Sequence, residues 1–159
     1  LAILKEDGFR MKLVLTGADY GAGASIQKQI EELGLQTQVT QLGFVSQQDL
    51  YALYRNAMAL TYLSFFGPEN LPPLEAFALG CPVIAARVSG AEEQLAEAAL
   101  LVNPTDAHEI ASAIRLVNDD PVLRQRLIQA GHMRAVSWTT KDFVLGAIHA
   151  FDEIERGEL

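Results

Sequence analysis

Two carboxylates and an amide side chain flank a proline pair in the run Phe66-Gly67-Pro68-Glu69-Asn70-Leu71-Pro72-Pro73-Leu74-Glu75. With the continuation Ala76-Phe77-Ala78-Leu79-Gly80-Cys81-Pro82-Val83-Ile84, it reads as a loop after a strand, a helix opened by prolines and closed by glycine, and then a buried strand. Open α/β sheets build ligand sites from such parts, because the crevice lies beyond the carboxyl ends of the strands. Pro72 and Pro73 lack amide hydrogens, and the first helical turn is where those hydrogens have no intrahelical partner. The amides of Asn70, Leu71 and Leu74 are therefore the candidates to face an anion. If Asn70 were a conventional N-cap, its side chain would accept from the amides two and three residues on, and those residues are Pro72 and Pro73. With Leu71 as the cap, Asn70 falls outside the helix. A loop or ligand role remains for Asn70, with turn chemistry as the alternative.

Glu75 reads in two ways: as a carboxylate favoured in the first helical turn by the macrodipole, or as a binding group that accepts two hydroxyl hydrogens at once. Gly17, after the first strand-like run, either lets backbone approach a ligand or supplies a turn with positive φ. The stretch Gly17-Ala18-Asp19-Tyr20-Gly21-Ala22-Gly23 lacks the G-x-G-x-x-G order of a dinucleotide loop. Arg87 reads as a surface ion pair ahead of a phosphate contact. His108, His132 and His149 have no metal-ligand spacing, and Trp138 reads as core. Cys81, the one cysteine, reads as a small core residue between a helix-ending glycine and an apolar strand.

The elements that must position these residues alternate. Strand patterns occur at Met11 to Thr16, Val39 to Leu42, Ala57 to Leu63, Val83 to Ala86 and Leu100 to Val102. Helical patterns lie between them at Ser25 to Leu33, Ser46 to Arg55, Pro72 to Leu79 and Glu92 to Glu97. This order predicts parallel strands joined by right-handed helical crossovers, a Rossmann-like α/β sheet. Ser46 and Asp49 form a weak capping pair, and Gly34 and Gly80 end their helices. From Asp106 onward the pattern is helical only: a helix capped by Asp106 through Asn118, one from Pro121 to about Val136, and one from Thr139 or Thr140 to the end. Leu1 to Lys5 looks like the tail of a helix.

At 159 residues the chain is long enough for one domain with a real core, and half of it is hydrophobic. The net charge of -8 argues against nucleic acid or an anionic membrane surface as the main partner. It leaves room for an anionic nucleotide, since a few aimed amides bind a pyrophosphate locally. No apolar run has the length of a membrane span, which makes cytoplasmic the default compartment.

The run from Asn70 to Ala85 resembles the signature of the group 1 (family 4) glycosyltransferases, retaining enzymes of the GT-B fold that use nucleotide-sugar donors. The flanks agree in order: Lys12 to Gly17, Leu42-Gly43-Phe44-Val45-Ser46 leading to Leu53-Tyr54, and Ala98 to Asp106. The resemblance implies the C-terminal, nucleotide-sugar-binding half of such an enzyme. It implies that Glu75 meets the ribose, that Gly43, Phe44 and Val45 form a backbone and apolar shelf for the base, and that Gly17, Asn70 and Leu71 lie near the donor. The family's other motif glutamate, which touches the donor sugar, falls on Gly67, and Glu69 is the candidate to serve in its place as the catalytic-site carboxylate. Ser89-Gly90-Ala91-Glu92-Glu93 stands where the family has a glycine-rich turn near the donor.

The same resemblance implies no cofactor or metal beyond the donor substrate. It also implies that an opening strand, its Arg/Lys pair and an acceptor-binding N-terminal domain are missing from residues 1 to 159, which then form a fragment. The missing strand belongs between the first and third strands here, which predicts an open sheet and self-association of the fragment. In the intact enzyme a peripheral membrane placement stays open. A nucleotide-sugar epimerase of the same fold and a non-catalytic binding or scaffold module are the alternative readings.

Overall fold

A computed structural model describes residues 1–65, 71–137 and 140–157. Among the described residues five strands and eight α-helices follow one another: α1 (Ala2–Glu6), β1 (Leu13–Thr16), α2 (Gly23–Glu32), β2 (Val39–Gly43), α3 (Gln47–Asn56), β3 (Leu60–Tyr62), α4 (Leu71–Ala78), β4 (Val83–Ala86), α5 (Ala91–Leu95), β5 (Ala99–Val102), α6 (Ala107–Asp119), α7 (Pro121–Val136) and α8 (Thr140–Arg156). All pairings are parallel, as expected of helical crossovers. They fall into two groups, β1 with β2 and β3-β4-β5, so that β1 and β3 each have one strand neighbour among the described residues.

Local chemistry explains most boundaries. Gly34 (φ +62°) and Gly80 (φ +73°) adopt the left-handed conformation just past α2 and α4. The next amide in each case reaches back to the last turn, Leu35 to the Ile30 carbonyl at 2.8 Å and Cys81 to the Ala76 carbonyl at 2.9 Å. These are Schellman closures, which glycine forms without a Cβ penalty. Asp106 caps α6 by accepting from the amides of Glu109 and His108, and those two bonds hold its carboxyl below the usual range. Ser46 caps α3 by accepting from the Asp49 amide at 3.1 Å, while its hydroxyl donates to the Asp49 carboxylate at 2.6 Å. The shorter aspartate takes the serine hydroxyl where a glutamate would reach the cap's own amide.

Some elements differ from the sequence reading. The third strand covers Leu60–Tyr62, shorter than Ala57 to Leu63. Leu60 donates to the Pro82 carbonyl, and Pro82 has no amide with which to extend the ladder backward. The helix read at Glu92 to Glu97 is α5 followed by a 3-10 turn at Ala96–Ala98.

The core is built around β4, which is buried on both faces. Val83 and Ala85 face Tyr54, Phe77, Leu95 and Ala130, whereas Ile84 faces Val117, Leu123 and Leu127 from α6 and α7. Strand side chains alternate between faces, so one strand serves two apolar layers. Cys81 is buried in the first layer, and Trp138, read as core, lies outside the described residues.

Candidate functional site

β1 and β2 deliver a ledge of exposed backbone at their carboxyl ends. Their register runs Leu15 with Gln41 and then Thr16 with Gly43, leaving Leu42 as an extra residue in β2. A bulge of this kind bends its strand locally, and the ladder ends at Gly43, just before Phe44 and Val45. Gly17, at φ +101°, donates its amide to the Gly43 carbonyl at 2.8 Å, and Gly43 itself sits at φ +64°. Gly17 thus meets the turn reading, and Gly43, the last residue of β2, stands beside it. Phe44 comes next with 85% of its surface exposed, while Val45 is half-buried. Tyr20, at 96% exposure, is also left in water after β1, so Phe44 is one of two exposed aromatics that follow these strands.

α3 carries the ledge toward α4. It starts at the Ser46 cap, directly after Val45, and ends near Tyr54, which is 7% exposed and packed in the first core layer. The Tyr54 hydroxyl donates to Glu75 Oε2 at 3.4 Å, a long contact to a charged acceptor. Burial first, and then the Glu75 charge and hydrogen bond, push the Tyr54 hydroxyl up to about 12.

Glu75 is the fifth residue of α4, past the first turn. That corrects the macrodipole reading, because the dipole's effect falls off within the terminal turn. Leu74 is corrected as well: with the helix beginning at Leu71, Pro72 and Pro73 fill its second and third positions, and Leu71 holds the only amide of the first three. Leu71 is 52% exposed. Gly67, Glu69 and Asn70 lie outside the described residues.

Two further segments border the strand ends. Gly90, at φ +80°, turns the chain into α5, whose last carbonyls are held by Arg134: its Nε donates to the Gln94 carbonyl at 2.6 Å and its Nη2 to that of Glu93. Arg87 donates to the Leu101 carbonyl at 2.6 Å and pairs with Glu109 at 2.9 Å, so its guanidinium is engaged in the ion pair expected of it. Among the described residues, no group of three or more His, Cys, Asp or Glu side chains could hold a metal ion. A hollow of about 520 Å³, lined in part by Lys5, Arg10 and Lys12, opens at the amino ends of β1 and β2, and its lining includes none of Gly17, Gly43, Phe44, Val45, Leu71 and Glu75. No helix among the described residues is long and apolar enough to cross a membrane.

The burial of Tyr54 and Cys81 contributes to alkaline stability. Burial pushes the Cys81 thiol from 9.0 up to about 11, alongside the tyrosine shift from 10.0 to about 12. Each group is held protonated in the folded state, so its contribution is complete below its unfolded pKa and is lost as pH rises through the folded one. The melting temperature is expected to fall progressively between pH 9 and about pH 12. A melting temperature that stays level over that window would overturn the assignment.

Comparisons with known proteins bear on the family and the fold. The chain matches the family described as glycosyl transferases group 1 over residues 1–134. It is 36% identical over 116 residues to the O-antigen chain mannosyltransferase RfbU of Salmonella typhimurium, covering 73% of this chain and 32% of that protein. Among solved structures it is similar to sucrose-phosphate synthase from Thermosynechococcus elongatus, with TM-score 0.77, 28% identity, and 92% of this chain against 39% of that one. Anabaena Alr3699/HepE, solved in complex with UDP-glucose, shares the fold with TM-score 0.68 at 24% identity, over 78% of this chain and 35% of that one. The chain spans about a third of the length of the curated relatives it matches.

Proposed function

Because the chain belongs to the group 1 glycosyl transferases, we propose that it forms the donor-binding half of a two-domain GT-B enzyme. That enzyme moves a sugar from a nucleoside-diphosphate sugar to an acceptor hydroxyl, with retention at the anomeric carbon. The bond from the anomeric carbon to the pyrophosphate breaks, the bond to the acceptor oxygen forms, and the acceptor's proton is released.

One observation carries the reading: Gly17, Gly43 and Phe44 share a single strand-end ledge, and α3 leads from it to Tyr54, whose hydroxyl meets Glu75. The open backbone and the Phe44 ring suit a nucleobase, and the Glu75 carboxylate suits a diol. Leu71 and Asn70 are assigned to the pyrophosphate side, and Gly67 and Glu69 to the donor-sugar side. In this scheme the protein holds base, ribose and pyrophosphate in a fixed pose while the leaving group gathers charge. The acceptor domain and a further parallel strand, lying between β1 and β3, belong to the rest of the enzyme. The separate pairing of β1-β2 and β3-β4-β5 supports that strand, since exposed ladder edges invite a partner.

Hydrogen exchange on the full-length protein, with and without UDP, GDP or ADP, tests both parts. UDP comes first because the HepE structure holds UDP-glucose. One of the three is expected to protect Gly17, Gly43 to Val45, and Leu71 to Glu75. Protection confined to the hollow at Lys5, Arg10 and Lys12 would sink the site, and fast exchange along β1 and β3 would sink the inserted strand.

A further inference from the structure

Tyr54 is a core aromatic to which the proposed donor site gives no task of its own. Its ring is fixed: 7% exposed, it packs in the same layer as Phe77, Ala76 and Val83. Its hydroxyl points out of that layer to Glu75 Oε2, and among the described residues no other side chain hydrogen-bonds or ion-pairs with Glu75.

We propose that Tyr54 is a positioning residue for ribose recognition, its anchored hydroxyl holding the Glu75 carboxylate in the orientation that meets the ribose diol. This rests on the reading of Glu75 as the ribose ligand. A free glutamate has three rotatable bonds to fix when a ligand arrives, and that ordering subtracts from affinity. A donor held by the core fixes part of that freedom during folding. One oxygen of the carboxylate takes the tyrosine, leaving lone pairs on both oxygens for ligand hydroxyls. The 3.4 Å separation is long for an O–H···O bond, which keeps the expected effect of losing it modest.

α3 gives the contact its reach. The helix is fixed at its start by the Ser46 cap beside the Phe44 platform and at its end by Tyr54 in the core. One helix thereby runs from the Phe44 end of β2 to the tyrosine that meets Glu75. Because the hydroxyl is pushed up to about 12, it remains a proton donor throughout the neutral range.

The test is a calorimetric titration of the full-length protein with UDP, GDP and ADP and with their 2′,3′-dideoxy analogues, using wild type, Tyr54→Phe, Glu75→Gln and the double variant. Tyr54→Phe keeps the ring and is expected to weaken the bound ribonucleotide about three- to tenfold. The dideoxy analogue should bind the variant and wild type equally, and Tyr54→Phe should cost less in the Glu75→Gln background than in wild type, because the amide leaves the hydroxyl only a neutral acceptor. Equal losses for ribo and dideoxy forms, no loss at all, or a variant that fails to fold would each overturn the positioning role. If Glu75→Gln itself leaves ribonucleotide affinity unchanged, the ribose reading fails instead, and the two failures are told apart.

Discussion

Replacing Phe77 by alanine is expected to destabilise the protein by about 3–5 kcal/mol, the range for truncating a buried phenylalanine. The side chain is 1% exposed and sits between α4 and α7, where Gly131 leaves room for it. A Cβ built on Gly131 would stand 2.8 Å from Phe77 Cδ1 and 3.2 Å from its Cγ. That contact gives the prediction an internal check. Alanine for glycine inside a helix ordinarily gains up to about 1 kcal/mol, yet here Gly131→Ala should destabilise, because the ring must shift inside a packed layer. In the Phe77→Ala background the same change should become neutral or favourable, since the ring is gone. Denaturant unfolding of the four proteins measures it. A Gly131→Ala effect of the same sign in both backgrounds would show that α7 does not close on the ring. The consequence reaches the site, for Glu75 precedes Phe77 on the same helix, and loosening α4 loosens the carboxylate.

The elements were legible in the sequence wherever local chemistry decides them. Gly34 and Gly80 announce Schellman closures, Asp106 and Ser46 announce caps, and the apolar runs at Val83 to Ala86 and Leu100 to Val102 announce buried strands. Pairing is decided by residues far apart in sequence, so the division into two strand groups left no local trace in the alternation. The Leu42 bulge is similar: one extra residue is compatible with the same run of apolar and polar side chains, and only Gly43 at the strand's end hints at it.

Within the proposed donor site, Gly17, Gly43, Phe44 and Glu75 could be named from their motif, but the proposed role of Tyr54 could not. An aromatic on the inner face of an amphipathic helix reads as packing, which it is. Its second role depends on a partner on α4, 21 residues away in sequence, and no periodicity encodes that. The position of Glu75 also needed the structure, because the proline pair permits more than one helix start and only the observed one removes the carboxylate from the first turn.

Glu75→Gln in the full-length enzyme is expected to weaken binding of the donor nucleotide about ten- to a hundredfold. The ionised carboxylate accepts from two hydroxyls at once, whereas the amide keeps the shape but offers one oxygen acceptor and turns its other end into a donor. Charge-assisted hydrogen bonds contribute about 1.5–3 kcal/mol, which is about ten- to a hundredfold in affinity. Stability should hardly change: Glu75 lies beyond the terminal turn, so no macrodipole interaction is lost, and the Gln side chain still presents an oxygen to Tyr54. A purely structural carboxylate makes the opposite forecast, with affinity intact and the melting temperature shifted. Calorimetric titration with the nucleoside diphosphate, run beside thermal melting of the same samples, separates the two. Unchanged affinity would reduce Glu75 to a helix side chain resting on a tyrosine, and the proposed ribose site would fall with it.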